Sequence, residues 1–185
     1  SAYPDSRAMI SLSQYGAGFG DADAQLNVYI ANRPPMAEYA DLAAVEPLQS
    51  GEIELINRAC GNGWRKVFNV YAKLLFVLDA KQFLFKVQAK SWQLFRDQYL
   101  LQAQSNTALW FSAPRLNGDS QRIHIIAGRT YAKALLDAGL NAQLNWLNNE
   151  FAVDSYQRLL VCPYFDYRQL NNEKLLILAQ LIKDL

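Results

Sequence analysis

The stretch RIHIIAGRTYAKALLDAG, residues 122–139, decides the fold that the sequence predicts. Its first half is a short, isoleucine-rich apolar run, which is the pattern of a buried central strand. Gly128 follows, where the backbone turns sharply and a side chain would obstruct it. From Thr130 the apolar residues recur at helical spacing as far as Gly139, which can end a helix in the left-handed region. A strand, a glycine turn and a helix in succession form half of a βαβ unit.

Further strand-like and helix-like segments surround this unit. Apolar β-branched runs predict three more strands, at residues 26–31, 107–112 and 158–162. Amphipathic spacing predicts helices over 64–79, 81–104 and 173–184, with shorter helical pieces within 36–49 and 51–59. Strands separated by helices are typical of a parallel sheet covered by helices on both faces.

We therefore predict an α/β protein with a single three-layer αβα domain and a short, mostly parallel, four-stranded sheet. The domain is expected to span residues 26–185. Residues 1–25 contain Gly16, Gly18 and Gly20 among small polar residues, with no strand before them. They are interpreted as a flexible or loosely packed lead-in.

Length and composition favour an ordinary soluble globular protein. The chain has 185 residues, of which 51% are hydrophobic and 19% charged, so it can bury a core of its own. No apolar run approaches the roughly 18–20 residues of a membrane span, and no signal-peptide pattern is visible. Cys60 and Cys162 lie far apart, which favours two free thiols in a reducing cytoplasm and leaves a disulfide open. We expect a cytoplasmic protein without a membrane partner, of undetermined oligomeric state.

Charge is unevenly distributed although the net charge is only +1. Residues 1–57 hold eight acids and two bases, whereas residues 58–96 hold eight bases and one acid. The basic helices 64–79 and 81–104 therefore suggest nucleic-acid binding through Trp64, Phe85, Trp92 and Phe95 with Lys66, Lys73, Lys86 and Lys90. Helical spacing favours another interpretation, because it places the aromatics on the packed face and the lysines on the solvated one.

Polar side chains follow the predicted strands, where ligands bind in parallel sheets. The candidate ligand-binding residues are Asn32, Arg33, Arg115, Gly128, Arg129, Thr130, Tyr164, Asp166 and Arg168. Four of them are arginines, whose planar fork binds phosphate and carboxylate. The helix after Gly128 would direct free N–H groups at the same crevice. This pattern predicts an anion-binding crevice for a nucleotide or nucleic acid; the alternative is that the arginines pair with Asp166, Asp119 or solvent.

Catalytic patterns are scarce, so no catalytic residue, metal ligand or cofactor is predicted, and the sequence does not decide whether the protein is an enzyme. The only histidine, His124, lies inside a predicted strand, which favours a buried core residue over a catalytic base. Cys162 is interpreted as a small buried residue rather than a reactive thiol. Two alternatives stay open: a protein-interaction module, and a hydrolase whose site would use carboxylates among Glu38, Asp41, Asp154 and Asp166.

The order of elements resembles the uracil-DNA glycosylase superfamily, over most of residues 26–185. LNVYIANRPP (26–35) stands where that superfamily has its first catalytic motif, and HIIAGRTYAKALLDAGL (124–140) is similar to its third strand and following helix. RLLVCPYFDYRQLNNEKLLILAQLI (158–182) is similar in layout to its last strand, catalytic loop and closing helix. The resemblance implies a short parallel sheet flanked by helices.

The catalytic motifs of that superfamily are not preserved. The first motif normally begins with glycine and supplies an Asp or Asn that positions water, then proline; here the turn is Ala31-Asn32-Arg33-Pro34, with Asn32 out of register. The last motif is normally His-Pro-Ser, and here it is Cys162-Pro163-Tyr164. Without the histidine a leaving uracil anion would lose its principal stabilisation. The resemblance therefore predicts a shared fold without the glycosylase chemistry.

Overall fold

The computed structural model describes residues 10, 12, 16–78, 83, 89–118 and 121–185, which form an α/β fold of eight strands and six helices. The strands are β1 (Gly18–Gly20), β2 (Leu26–Tyr29), β3 (Val45–Glu46), β4 (Thr107–Trp110), β5 (Ile123–Ala127), β6 (Asn145–Trp146), β7 (Ala152–Asp154) and β8 (Leu159–Cys162). The helices are α1 (Ala37–Ala40), α2 (Glu52–Cys60), α3 (Asn62–Val77), α4 (Trp92–Gln98), α5 (Arg129–Asp137) and α6 (Asn172–Lys183).

The strands form one mixed sheet in the order β3-β1-β4-β2-β5-β8-β7-β6. Its central strands β4, β2, β5 and β8 are mutually parallel, and they are the four strands predicted from the sequence. The predicted size of the sheet is wrong, because β1 and β3 extend it on one side and β7 and β6 on the other. Each added strand has only two or three residues, too few for an alternating pattern to mark it.

The unit predicted from residues 122–139 is confirmed. β5 is buried along its whole length, and α5 follows it after a single residue. That residue, Gly128, has φ 103° and ψ 131°, which an amino acid with a side chain adopts only with strain. Its N–H donates to the carbonyl of Cys162 at the end of β8, at 2.8 Å. The turn is therefore held between two adjacent parallel strands.

Helices cover both faces of the sheet. Alternate strand residues such as Val28, Ile125 and Leu160 pack with apolar residues of α2, α3, α4 and α6 in one core. Residues of the opposite phase, such as Ile126 and Val161, pack against α5. Because side chains alternate between the two faces of a strand, the two cores mark the two sides of the sheet. Among the described residues, no helix combines the length and the hydrophobicity that a membrane span requires.

The predicted helix 64–79 is present as α3, which ends at Val77. Its apolar stripe packs inside the larger core, and Trp64, Phe68 and Tyr71 have no exposed surface. Burying each of these side chains contributes on the order of 1.5–3 kcal/mol. The amphipathic pattern was therefore sufficient to predict this helix.

The predicted helix 81–104 is wrong in its extent. α4 covers only Trp92–Gln98, and residues 79–82 and 84–88 lie outside the described residues. Ser91 begins α4 as an N-cap, because its side chain accepts from the N–H of Leu94 at 3.1 Å. Beyond the helix, Leu101 adopts a left-handed φ of 60° and donates its N–H to Thr107 Oγ1. A hydrogen bond to a side chain six residues further along thus replaces the helical one, and Leu101 is completely buried.

The segment interpreted as a lead-in contributes a buried strand. β1 lies between β3 and β4, and all three of its residues are buried. A Cβ atom at Gly18 would stand 2.3 Å from the carbonyl oxygen of Leu109, so the backbones approach more closely than a side chain permits. The sheet therefore extends to the N-terminal side of residue 26.

Candidate functional site

A cleft of about 460 Å³ opens at the carboxyl ends of β5 and β8. We call it the α5 cleft, because the first turn of α5 forms one of its walls. Its lining residues are Gly128, Arg129, Thr130, Tyr131, Asn149, Glu150, Pro163, Tyr164 and Gln169. Four of the residues predicted from the sequence, Gly128, Arg129, Thr130 and Tyr164, are thus brought together. The structure supports the expectation that strand ends supply the cavity.

The N-terminus of α5 has no side-chain cap. The first helical hydrogen bond donated along this helix runs from Ala132 N–H to the carbonyl of Gly128, at 3.1 Å. The N–H groups of residues 129–131 precede that bond and have no acceptor in the described part of the chain. These donors and the helix dipole make the wall favourable for negative charge.

Arg129 is exposed at the cleft and stands beside an aromatic ring. Its guanidinium carbon lies 5.8 Å from the ring centroid of Trp146, and Nζ of Lys133 lies 5.7 Å from the same centroid. Contacts of this kind contribute about 0.5–1 kcal/mol at exposed sites. No carboxylate among the described residues forms an ion pair with Arg129. Its charge therefore stays available to a ligand.

The wall opposite α5 is built from the segment that leads into β7. Asn148 Oδ1 accepts from the N–H groups of Glu150 and Phe151, at 2.7 and 2.9 Å, and this fixes the turn. The Glu150 carboxylate is bound by Lys174 Nζ of α6 at 2.7 Å. Five lining residues were not predicted: Tyr131, Asn149, Glu150, Pro163 and Gln169. Asn149, Glu150 and Gln169 lie in irregular segments that carry no periodic pattern.

Asp166 does not line the α5 cleft. Its buried carboxylate lies 3.5 Å from Lys66 Nζ on α3 and 3.5 Å from the Arg168 guanidinium, and it accepts from the N–H of Arg168 at 2.9 Å. The loop after β8 is thereby attached to α3. The alternative that an arginine pairs with Asp166 is confirmed for Arg168.

The remaining predicted residues are dispersed. The Arg33 guanidinium donates to the carbonyls of Tyr39 and Leu42, at 2.8 and 2.9 Å, and so binds the C-terminal end of α1. Asn32, next to it, is half-buried and does not line the cleft. Arg115 lines a different, smaller cavity. The four predicted arginines therefore do not form one site, because the loops that carry them leave different parts of the sheet.

The carboxylates of the hydrolase alternative do not gather in the cleft either. Asp154 accepts from the N–H groups of Gln143 and Gln157, at 2.8 and 3.1 Å, and so stabilises turns. Glu38 and Asp41 are exposed at α1, and neither lines the cleft. Among the described residues, no group of three His, Cys, Asp or Glu could hold a metal ion.

The aromatic residues of the basic helices are mostly in the core. Trp64 and Phe95 are buried, whereas Trp92 is half-buried beneath Lys73 and Arg96. Phe85 and Lys86 lie outside the described residues. Trp64 and Phe95 thus have no face on which a base could stack, which agrees with the interpretation of a packed face beside a solvated one.

Both cysteines have free thiols. Cys162 is fully buried, and burial raises the pKa of its thiol far above the ordinary range. A thiol that stays protonated is a poor nucleophile, so the interpretation of a small buried residue is favoured.

A buried polar cluster on the α5 side of the sheet was not predicted. Its members are Asn27 and Tyr29 on β2, Trp110 on β4, Arg122 just before β5, and His124 on β5. His124 is buried, as expected, and its Nδ1 lies 2.6 Å from the Tyr29 hydroxyl. A signal was present in the sequence, because polar or aromatic residues occupy alternate positions of two neighbouring strands and must share a face.

Comparison with known proteins assigns the chain to a family but does not assign it a function. No curated protein and no solved structure matches the chain significantly. A family model described as a family of unknown function (DUF6942) matches residues 17–183, which covers the whole sheet and all of α6. The chain therefore belongs to the family of unknown function DUF6942.

Proposed function

We propose that the α5 cleft binds a small phosphorylated ligand of the nucleotide class. The observation that carries the proposal is the uncapped N-terminus of α5, which opens into a cleft of about 460 Å³ beside Arg129, a residue that forms no ion pair within the described part of the chain. Cavities that bind small molecules typically have volumes of roughly 300–1,000 Å³. The ligand therefore has a site of suitable size with donors on one wall.

The phosphate group is assigned to the α5 wall. Three backbone N–H groups and the Arg129 guanidinium would donate to its oxygens, and the Thr130 hydroxyl lies on the same turn. Charge-assisted hydrogen bonds of this kind are about twice as strong as neutral ones. An anion is preferred over a neutral ligand, because the helix dipole adds to the arginine charge.

The rest of the ligand is assigned to the remaining lining of the cleft. Asn149 and Gln169 supply amide donors and acceptors, and the buried ring of Tyr164 supplies an apolar surface. A mononucleotide is favoured over a nucleic-acid strand, because a strand requires a continuous positive groove. Here Glu150 places a carboxylate in the lining, although Lys174 binds it.

Binding without catalysis is the function we propose. Among the described residues that line the cleft, Glu150 is the only one with a carboxylate, and its ion pair with Lys174 limits its use as a base. His124, the single histidine of the chain, is buried within β5 and is not in that lining. A fold shared with the uracil-DNA glycosylase superfamily stays part of the proposal; the four parallel central strands between helical layers support it.

A thermal-shift titration with nucleoside mono-, di- and triphosphates tests the proposal. At a ligand concentration of about 100 Kd, binding stabilises the folded state by about 2.7 kcal/mol, which raises the Tm of a chain of this size by roughly 5–10 °C. We expect Arg129→Ala to weaken binding at least tenfold. Arg65→Ala, which removes an exposed arginine of α3, should bind as the wild type does.

Two outcomes would contradict the proposal. One is that millimolar nucleotides do not change the Tm of the wild-type protein. The other is that Arg129→Ala and Arg65→Ala bind equally well. If short single-stranded DNA bound more tightly than nucleotides, with a steep dependence on salt, the preference for a mononucleotide would be wrong. The alternative of an interaction module stays a prediction.

A further inference from the structure

We infer that a groove between α3, α4 and α6 binds a small amphipathic carboxylate, a molecule with one anionic head group and an apolar tail. The groove has a volume of about 480 Å³, which lies within the roughly 300–1,000 Å³ that is typical of small-molecule sites. We call it the α6 groove. None of the described residues that line it also lines the α5 cleft, so the inference does not rest on the proposed function.

Two helices of the groove share one pattern, in which a polar residue is followed one turn later by two apolar residues. The groove is lined by Lys73, Phe76 and Val77 of α3 and by Asn172, Leu175 and Leu176 of α6. Residues i, i+3 and i+4 lie on the same face of a helix. Lys66, earlier in α3, lies 3.5 Å from Asp166, which precedes α6, so both helices run from this ion pair toward the groove. The groove therefore has a polar end and an apolar end.

The polar end carries a lysine that forms no ion pair. Nζ of the half-buried Lys73 lies 5.1 Å from the ring centroid of Trp92, the residue that α4 contributes to the lining. The Arg96 guanidinium lies 5.4 Å from the same centroid, but the Asp97 carboxylate binds it at 2.8 Å. No carboxylate among the described residues forms an ion pair with Lys73. Its ammonium group is therefore available to an anionic head group.

The start of α6 supplies further donors to the same end. Asn171 caps the helix by accepting from the N–H of Lys174, so the cap does not require the amide of Asn172. That amide can donate to a carboxylate oxygen, and the N-terminal end of the helix dipole favours negative charge. A phosphate monoester carries about −1.5 to −2 charges at pH 7, which one lysine does not balance. The head group is therefore assigned as a carboxylate, which carries a single charge.

The apolar end leaves hydrophobic side chains in water. Leu176 is 60% exposed and Val77 is 37% exposed, while Phe76 is half-buried and Leu175 packs in the larger core. Exposed apolar surface beside polar residues is typical of a binding groove. An alkyl chain that covers it would remove apolar surface from both partners. Affinity should then rise roughly fourfold for each CH₂ group that is buried.

Isothermal titration calorimetry with hexanoate, octanoate and decanoate tests the inference on the full chain. We expect saturable binding whose affinity increases with the length of the alkyl chain. Lys73→Gln should weaken decanoate binding at least tenfold and should leave the binding of neutral decanamide unchanged. Lys183→Gln, which removes an exposed lysine of α6 outside the lining, should bind decanoate as the wild type does.

Leu176→Ser and Ile177→Ser provide a matched pair for the apolar end. The two residues are adjacent on α6 and both exposed, so both variants should fold, and of the two only Leu176 lines the groove. Leu176→Ser should weaken the binding of decanoate and of decanamide, whereas Ile177→Ser should weaken neither. The inference is overturned if affinity does not depend on chain length, if the two lysine variants bind decanoate equally well, or if the two serine variants do.

The Arg129→Ala variant separates this site from the α5 cleft. It should bind decanoate as the wild type does, whatever its effect on nucleotides. Decanoate binding that requires Arg129 would assign the carboxylate to the α5 cleft and overturn the inference. The inference is also wrong if decanoate does not bind, and a dimer that Leu176→Ser converts to a monomer would then show that the groove is an interface between two copies of the chain.

Discussion

The connections from β5 to α5 and from β8 to α6 join adjacent parallel strands to helices, yet they are built differently. The β8–α6 connection satisfies its own polar groups: the Asn171 side chain accepts from the N–H of Lys174 at 2.9 Å, and buried Asp166 holds Lys66 and Arg168. The β5–α5 connection has a glycine where a capping side chain would be, and no carboxylate in the part of the chain that the structure describes forms an ion pair with its Arg129. The β8–α6 connection therefore has a structural role. The β5–α5 connection leaves backbone N–H donors and the charge of Arg129 available to a ligand.

Among the changes that test this comparison, removal of the buried Asp166 carboxylate should lower the free energy of unfolding the most. Asp166→Ala leaves Lys66, whose side chain is only 17% exposed, without its carboxylate partner. We expect a loss of about 3 kcal/mol in the free energy of unfolding, because breaking a buried ion pair strands a charge. Urea denaturation measures it. The control Asp97→Ala breaks the ion pair with Arg96, in which the Asp97 side chain is 55% exposed, and should lower the free energy of unfolding by at most about 1 kcal/mol. Equal losses in the two variants would show that Asp166 is not a structural anchor.

A substitution of Gly128 in the β5–α5 connection should lower the free energy of unfolding by an intermediate amount. Gly128→Ala forces a side chain into a backbone conformation at φ 103°, at a cost of about 1–3 kcal/mol. The added Cβ would lie 3.6 Å from the Tyr164 ring, an ordinary contact, so strain rather than collision causes the loss. Circular dichroism during urea unfolding measures it. Stability equal to that of the wild type would contradict the conformation of this turn.

The cap of α6 should have the smallest effect on stability. Asn171→Ala removes the acceptor for the N–H of Lys174 and should lower the free energy of unfolding by about 1 kcal/mol. Asn172→Ala, one residue later, removes no cap and should change it by less than about 0.5 kcal/mol. Thermal unfolding of both variants makes the comparison. If the two variants had the same Tm, the cap would not contribute measurably to stability. The contrast between a capped and an uncapped helix would then not be supported.

Local patterns were sufficient for the central part of the fold and for four of the nine residues that line the α5 cleft. The four parallel strands and α3, α5 and α6 follow from apolar runs and helical spacing, which are properties of short segments. Gly128, Arg129, Thr130 and Tyr164 line one cleft, because adjacent parallel strands end at the same edge of the sheet. The helix 81–104 was predicted too long, because its periodic pattern continues past Gln98. There the N–H of Leu101 donates to Thr107 Oγ1 instead of to a helical carbonyl.

By itself, the sequence determined the class of the fold, the central strands and the glycine turn after β5. These depend on alternation, helical period and the conformational freedom of glycine, all of which act over a few residues. Only the tertiary structure decided which charges meet. Arg122 donates to Asn27, which lies 95 positions away in sequence, whereas Arg33 donates to the carbonyls of Tyr39 and Leu42 at the end of α1. Hydrogen bonds and ion pairs depend on distance in space, and the packing of the sheet sets that distance.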